Sequence, residues 1–248
     1  MVFRSLNRIF AAVKEIVGTY SAVFSFLLTL LASISPVHLQ AQEYFDVQTF
    51  SCKETLGASS YRANVDVPTE GDRAAVRNVK KWICEMLEVP VPANLDHADF
   101  PHLIDRSCKE YLKSADRSAR KVEIVWSFED PTCVTFMATI SDKDSVLWTT
   151  TDCASFSKSD GHRIRVDEIF TCNEQQIKQL MWAARDDMKL DAHRAESLFV
   201  GDAGFIDGAI IVIGPAQNSG GAPFVIPYPD AEPYLRKSPD ATGYYIGP

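Results

Sequence analysis

The feature that most constrains this chain is the uncharged stretch from Ile16 to Ser35. It is densest in apolar residues from Val23 to Ala32. Residues 1–15 in front of it hold Arg4, Arg8 and Lys14 against the single anion Glu15. Ser35-Pro36 then breaks any helix, and Leu39-Gln40-Ala41-Gln42 follows with small or neutral residues. A basic, then apolar, then small-residue order is that of a secretory signal. Leu39 and Ala41 stand where a signal peptidase reads, so cleavage between Ala41 and Gln42 is expected. The competing reading is an uncleaved anchor, since about 20 uncharged residues suffice to span a bilayer, with the basic flank left inside. Both place residues 43–248 outside the cytoplasm, in the periplasm or the extracellular space, with the N-terminal segment as the only membrane contact.

The remaining chain is long enough for a core. Of the 248 residues, 46% are apolar and 23% are charged, which disfavours wholesale disorder. The formal net charge of −8 becomes more negative still once the cationic N-terminal segment is set aside. An acidic body lacks the basic footprint that nucleic acid requires. It suits a basic partner, though charge also serves solubility alone.

All six cysteines, at 52, 84, 108, 133, 153 and 172, follow the N-terminal segment. An even number outside the cytoplasm favours disulfides. Residues 132–140 and 146–153 read as strands around Ser141-Asp142-Lys143-Asp144-Ser145. A hairpin centred on Lys143 sets Cys133 opposite Cys153, close enough to bridge. Cys84 and Cys108, on two separate helices, are the next candidate pair. No CxxC spacing supports a zinc ribbon or a thioredoxin motif.

Local patterns give the rest. Tyr44 to Cys52 reads as a strand, and Tyr61 to Val67 alternates with period two. Thr69 is a candidate cap for a helix whose apolar face is Val76, Val79, Ile83, Met86 and Leu87. Phe100, Leu103, Ile104, Cys108, Tyr111 and Leu112 mark a second helix. Val122, Ile124, Trp126 and Phe128 alternate again. In the central hairpin Val134, Phe136, Ala138, Ile140, Val146 and Trp148 form the inward face. Thr135, Thr139, Thr149 and Thr151 form a more exposed one. Thr171 through Glu174 reads as a capping box opening a third helix, with Ile177, Leu180, Met181 and Ala184 on one side. Ala209 to Ile213 and Pro223 to Ile226 flank the turn Asn218-Ser219-Gly220-Gly221. The order predicts an α+β fold, a mainly antiparallel sheet with three main helices packed on it. The expected parts are a signal peptide or anchor at 1–41, a strand-strand-helix-helix half at 43–117, a second half at 121–235 and a loose tail at 236–248. Whether the halves interlock or are joined near residue 118 stays open.

Two segments of the second half resemble a known family. They are Gly161-His162-Arg163-Ile164-Arg165-Val166-Asp167-Glu168-Ile169-Phe170, and Gly204-Phe205 through to Ile226-Pro227-Tyr228-Pro229-Asp230-Ala231-Glu232-Pro233-Tyr234-Leu235. The likeness is to the domain of unknown function in the extracellular part of RsiV-type anti-sigma factors, which also accompanies some peptidoglycan deacetylases. The resemblance implies a binding role towards lysozyme, a basic protein, or a peptidoglycan fragment. The central hairpin departs from the family, lacking its Gly-Gly-Ala-His-Gly stretch. About fifteen residues before the apolar segment are too few for a sigma-binding module, so a complete anti-sigma factor is not expected.

No motif of a nucleotide-binding loop, serine hydrolase or zinc protease is present. His97 and His102 near Asp96 and Asp99 read better as solvated loop residues than as metal ligands. Asp160 and His162 read as a turn, and Asp186, Asp187 and Asp191 as a solvated face. Gly201-Asp202-Ala203-Gly204 reads as a tight connection. Trp148, Tyr228 and Tyr234 are the candidate ligand-binding aromatics, or else they close a core edge. The expectation is an exported, non-catalytic binding module of the envelope, with no cofactor and no metal. The alternative is an envelope hydrolase or an accessory domain of cell-wall modification.

Overall fold

Period-two alternation produces the first hairpin, β1 (Asp46–Leu56) and β2 (Ser59–Glu70). Tyr61, Ala63, Val65 and Val67 of β2 are buried, while Arg62, Asn64 and Asp66 point the other way. The computed structural model describes residues 45–114, 118–142, 149–184, 198–215 and 221–236. The proposed cleavage site at Ala41 and Gln42 and the tail from 237 lie outside the described residues, as do Trp148, Val146, Asp186, Asp187 and Asp191.

Helix α1 (Arg73–Met86) starts at Asp72, whose carboxylate accepts from the backbone N–H of Ala74 and Ala75, both at 2.9 Å. Thr69 is not the cap, because the β2 strand still claims it. Helix α2 (Phe100–Ser114) follows, with the Asp99 carboxylate accepting from the His102 N–H at 3.2 Å. The two helices form the long crossover that a parallel pair needs, and β3 (Ala119–Glu129) lies parallel to β2. β4 (Cys133–Asp142), β5 (Thr149–Ser157) and β6 (Arg163–Ile164) complete a six-stranded sheet in sequential order, antiparallel apart from the β2–β3 pair. Strands from both sides of residue 118 therefore share one sheet.

After α3 (Val166–Ile169) comes α4 (Glu174–Ala183). Its capping box is Asn173 with Gln176, not Thr171 with Glu174. Thr171 is taken by the Tyr234 carbonyl, to which both its N–H and its hydroxyl donate. A second sheet follows, β7 (Ala203–Ile206), β8 (Ala209–Pro215) and β9 (Gly221–Pro227), then α5 (Tyr228–Ala231). The β7–β8 turn is Asp207-Gly208, with Gly208 at φ 73°. β7 is absent from the sequence reading, although Asp-Gly between apolar runs is a strong hairpin signal.

The layers explain the burial. Helices α1 and α2 cover one face of the large sheet around Val79, Ile83, Ile104, Val65 and Phe136. The small sheet covers the other face. Ile211 and Ile213 of β8 pack with Cys153 and Met137, while Ile210 and Val212 pack with Ile177 and Met181 of α4. That is why the Ala209–Ile213 run is apolar without alternation: both faces are buried. It is also why the Thr-rich face of the central hairpin is not exposed. Thr135 and Thr151 are buried, the Thr135 and Ser155 hydroxyls bond at 2.7 Å, and the Phe205 N–H donates to Thr135 at 3.4 Å.

The central register differs from expectation. β4 and β5 pair Cys133 with Ser157 and Cys153 with Met137. Cys133 therefore does not face Cys153. The partner strand is displaced by four residues from the Lys143-centred arrangement. An even displacement leaves each side chain on its own face, so the inward set Val134, Phe136 and Ala138 is still buried.

Candidate functional site

Segments from distant parts of the chain line a cleft of about 400 Å³. The C-terminal end of α1 supplies Glu85 and Glu88, β5 supplies Asp152, and the segment entering β7 supplies Asp202. Its apolar lining includes Ala138, Ile140 and Ile213, together with Phe199, a large aromatic left 49% exposed.

Two of the carboxylates have unusual surroundings. Glu88 sits just past α1 with φ 56°, the one non-glycine residue at positive φ among the described residues. Its N–H donates to the Glu85 carbonyl and the Val89 N–H to the Cys84 carbonyl, closing the helix in a Schellman arrangement. Glycine is the usual occupant there, and a side chain in this region costs energy that clusters at functional sites. Two glutamates at a helix C-terminus also oppose the helix dipole, which prefers cations there. Asp152 holds its proton more tightly than an ordinary carboxyl. Burial is the main cause and the charge of Asp202 adds to it, against the opposing Arg163. Arg163 binds Asp152 at 3.4 Å and Asp202 at 3.0 Å, and Arg120 pairs with Glu88 at 3.2 Å. Lys81 lies 3.9 Å from Glu85, so the four carboxylates share three cations, none of which lines the cleft. Such a site attracts a cationic group, and the apolar lining lowers the local dielectric and strengthens that attraction.

A second, wider furrow of about 680 Å³ runs along the outer face of α1 past Arg73, Arg77 and Lys81. Arg73 is committed to Asp96 at 2.8 Å.

The residues singled out in the sequence lie elsewhere. Tyr228 and Tyr234 are half-buried, packed on the core under the small sheet, and neither lines the cleft. His97 and His102 are exposed. His162 bridges the Asp160 carboxylate at 2.6 Å and Glu168 at 3.1 Å, fastening the turn ahead of α3. All six cysteines are unbridged in the structure. Cys84 is fully buried, its thiol pushed up to about 11 by burial and by Glu85. Cys108 has Cys52 beside it. None of Glu85, Glu88, Asp152 and Asp202 stood out as a site residue in the sequence. The available signal was the pair of glutamates at an α1 terminus that favours cations.

No family model and no curated protein matches the sequence. Solved structures do. A crystal structure of a DUF3298 family member from Bacteroides fragilis matches with a TM-score of 0.52 at 11% identity, over 80% of this chain and 96% of that one. A DUF3298 family protein from Pseudomonas aeruginosa PAO1 matches at 0.53 and 12%, over 84% and 99%. The chain thus has the fold of those proteins, and the likeness establishes the fold alone.

Proposed function

We propose that this chain is an exported, non-catalytic binding module of the cell envelope that holds a cationic group of its ligand in the acidic cleft. One observation carries the reading. Four carboxylates from three separate parts of the sequence converge on one cleft beside an exposed aromatic, and one of them occupies a strained position. A lysine or arginine side chain of a basic protein fits this chemistry, as does an amino group of a cell-wall fragment. Phe199 stacks on the aliphatic stem or sugar face. The resemblance to the exterior domain of RsiV-type proteins supports lysozyme as the first ligand to test. The N-terminal segment supports export; among the described residues, which begin at 45, no helix is long and apolar enough to cross a membrane.

Calorimetric titration of the purified protein with lysozyme and with peptidoglycan fragments at low salt tests the reading. Binding of one of them is expected. It should weaken with added salt and weaken about tenfold in Asp202→Asn, roughly 1.4 kcal/mol. Absence of binding to both at low salt removes the ligand assignment. A second reading, an envelope hydrolase, has one observation in its favour: burial and the neighbouring Asp202 make Asp152 bind its proton more tightly than an ordinary carboxyl, the kind of environment that divides acid and base roles between two carboxyls. Release of reducing ends from peptidoglycan, abolished in Asp152→Asn, would replace the binding module with the hydrolase.

A further inference from the structure

Helix α2 lies across β1 and β2, and where it crosses the edge strand two buried thiols meet. Cys52 comes from β1 and Cys108 from α2. Their sulfurs and a Glu54 carboxylate oxygen all lie within 4.8 Å of one another. Cys52 is 8% exposed and Cys108 is fully buried. None of the other four cysteines joins this cluster: Cys84, Cys133 and Cys153 are separately buried, and Cys172 is half-buried near α4.

We infer that Cys52 and Cys108 form a disulfide that clamps α2 to the exposed edge of the large sheet, and that Cys84 remains a thiol. A disulfide joins side chains whose β-carbons stand about 4 Å apart, a separation compatible with two sulfurs already in one pocket. A metal is the other use of such a cluster, and the surroundings disfavour it. Metal ligation needs thiolates. Here burial holds both thiols protonated, and Glu54 beside each of them works in the same direction, as does Asp105 beside Cys52. The same burial shields the finished bond from reductants, so it closes while the chain is folding and then persists. The step balances by exchange. One thiol loses its proton and its thiolate attacks a disulfide oxidant, releasing one oxidant thiolate. The second thiolate then displaces the other oxidant sulfur, leaving one protein disulfide and a reduced dithiol. The oxidant is a protein or glutathione disulfide. In the cell the step rests on the export reading, because that compartment supplies the oxidant.

The test has two arms. The full chain is produced with its N-terminal segment, trapped by alkylation, and mapped by mass spectrometry without reduction, with cell fractions kept apart. A peptide pair containing positions 52 and 108 is expected in the exported fraction. In parallel, the reduced full chain is refolded with oxidised and reduced glutathione, which tests the pairing wherever the cell places the protein. Closure of 52–108 in this arm supports the inference even if the cellular protein stays in the cytosol, where the export reading alone fails. Cys52→Ser should leave Cys108 alkylated and lower the melting temperature by about 10 °C relative to the oxidised protein. Cys84→Ser should leave the cross-link intact. Free thiols at 52 and 108 after glutathione refolding, a link from Cys108 to any other cysteine, or stoichiometric zinc on the purified reduced protein with both thiols protected would overturn it.

Discussion

The substitution Gly161→Ala tests how firmly the front of the chain is docked on its centre. Gly161 lies in the turn before β6 with φ 77°, and its carbonyl accepts from the Asn78 side chain of α1 at 2.7 Å. A methyl group there would stand 2.5 Å from the Ala74 carbonyl oxygen and 2.7 Å from the Ala75 nitrogen, and closer still to the Ala74 carbonyl carbon. Those atoms are helix backbone and cannot swing aside. Two costs add. The left-handed conformation costs a non-glycine residue about 1 kcal/mol, and forcing α1 off the turn costs about 1–3 kcal/mol more. The expected loss is therefore about 3 kcal/mol, or about 6–12 °C in melting temperature for a domain of this size. Gly208→Ala is the internal control. Its φ is 73°, yet nothing lies within 4 Å of the added methyl, so only the conformational cost of about 1 kcal/mol applies. Urea unfolding followed by circular dichroism gives both values. Because α1 carries Glu85 and Glu88 into the cleft, Gly161→Ala should also weaken ligand binding, whereas Gly208→Ala should not. Equal losses for the two variants would refute the docking of α1 on this turn.

Further outcomes follow from the same geometry. Glu88→Gly removes a side chain from a left-handed helix terminus and should raise stability by about 0.5–1 kcal/mol in urea unfolding, while weakening cation binding; a loss of stability would show that its exposed pairing with Arg120 matters more. Asp152 binds its proton more tightly folded than unfolded, so its contribution is complete below the ordinary carboxyl pKa of about 4 and is lost as pH rises through the folded value. Asp152→Asn should therefore gain in melting temperature over the parent between about pH 4 and neutrality, and a difference independent of pH would contradict this. Tyr61 is buried with its phenol pushed up to about 12, its hydroxyl bonded to Ser107 at 3.0 Å while Ser107 donates to the Leu87 carbonyl at 2.7 Å. Tyr61→Phe should cost about 1 kcal/mol near neutrality. It should also resist alkali better than the parent as pH rises from about 10 to 12, where the folded parent retains a proton that the unfolded chain releases; ellipticity through that window checks it.

What the sequence alone determined is what local periodicity can carry. The apolar stripes of α1, α2 and α4, the alternation along β2 and the α+β order all depend on neighbours within a few residues, and each is present in the structure. The inward set Val134, Phe136 and Ala138 of the central hairpin was legible too, because side-chain direction depends only on odd or even position. Its register was not. Nothing near Lys143 states how far the strands run before turning, and the displacement of four residues moved Cys153 from Cys133 to Met137. Tertiary structure alone decided the rest. The second sheet buries threonines that look solvent-facing, α2 crossing β1 gives Cys108 the neighbour Cys52 rather than Cys84, and the fold gathers carboxylates from positions 85 to 202 into one cleft. Such groupings arise where separate elements pack against each other, and a pattern read over a few consecutive residues holds no information about which elements will meet.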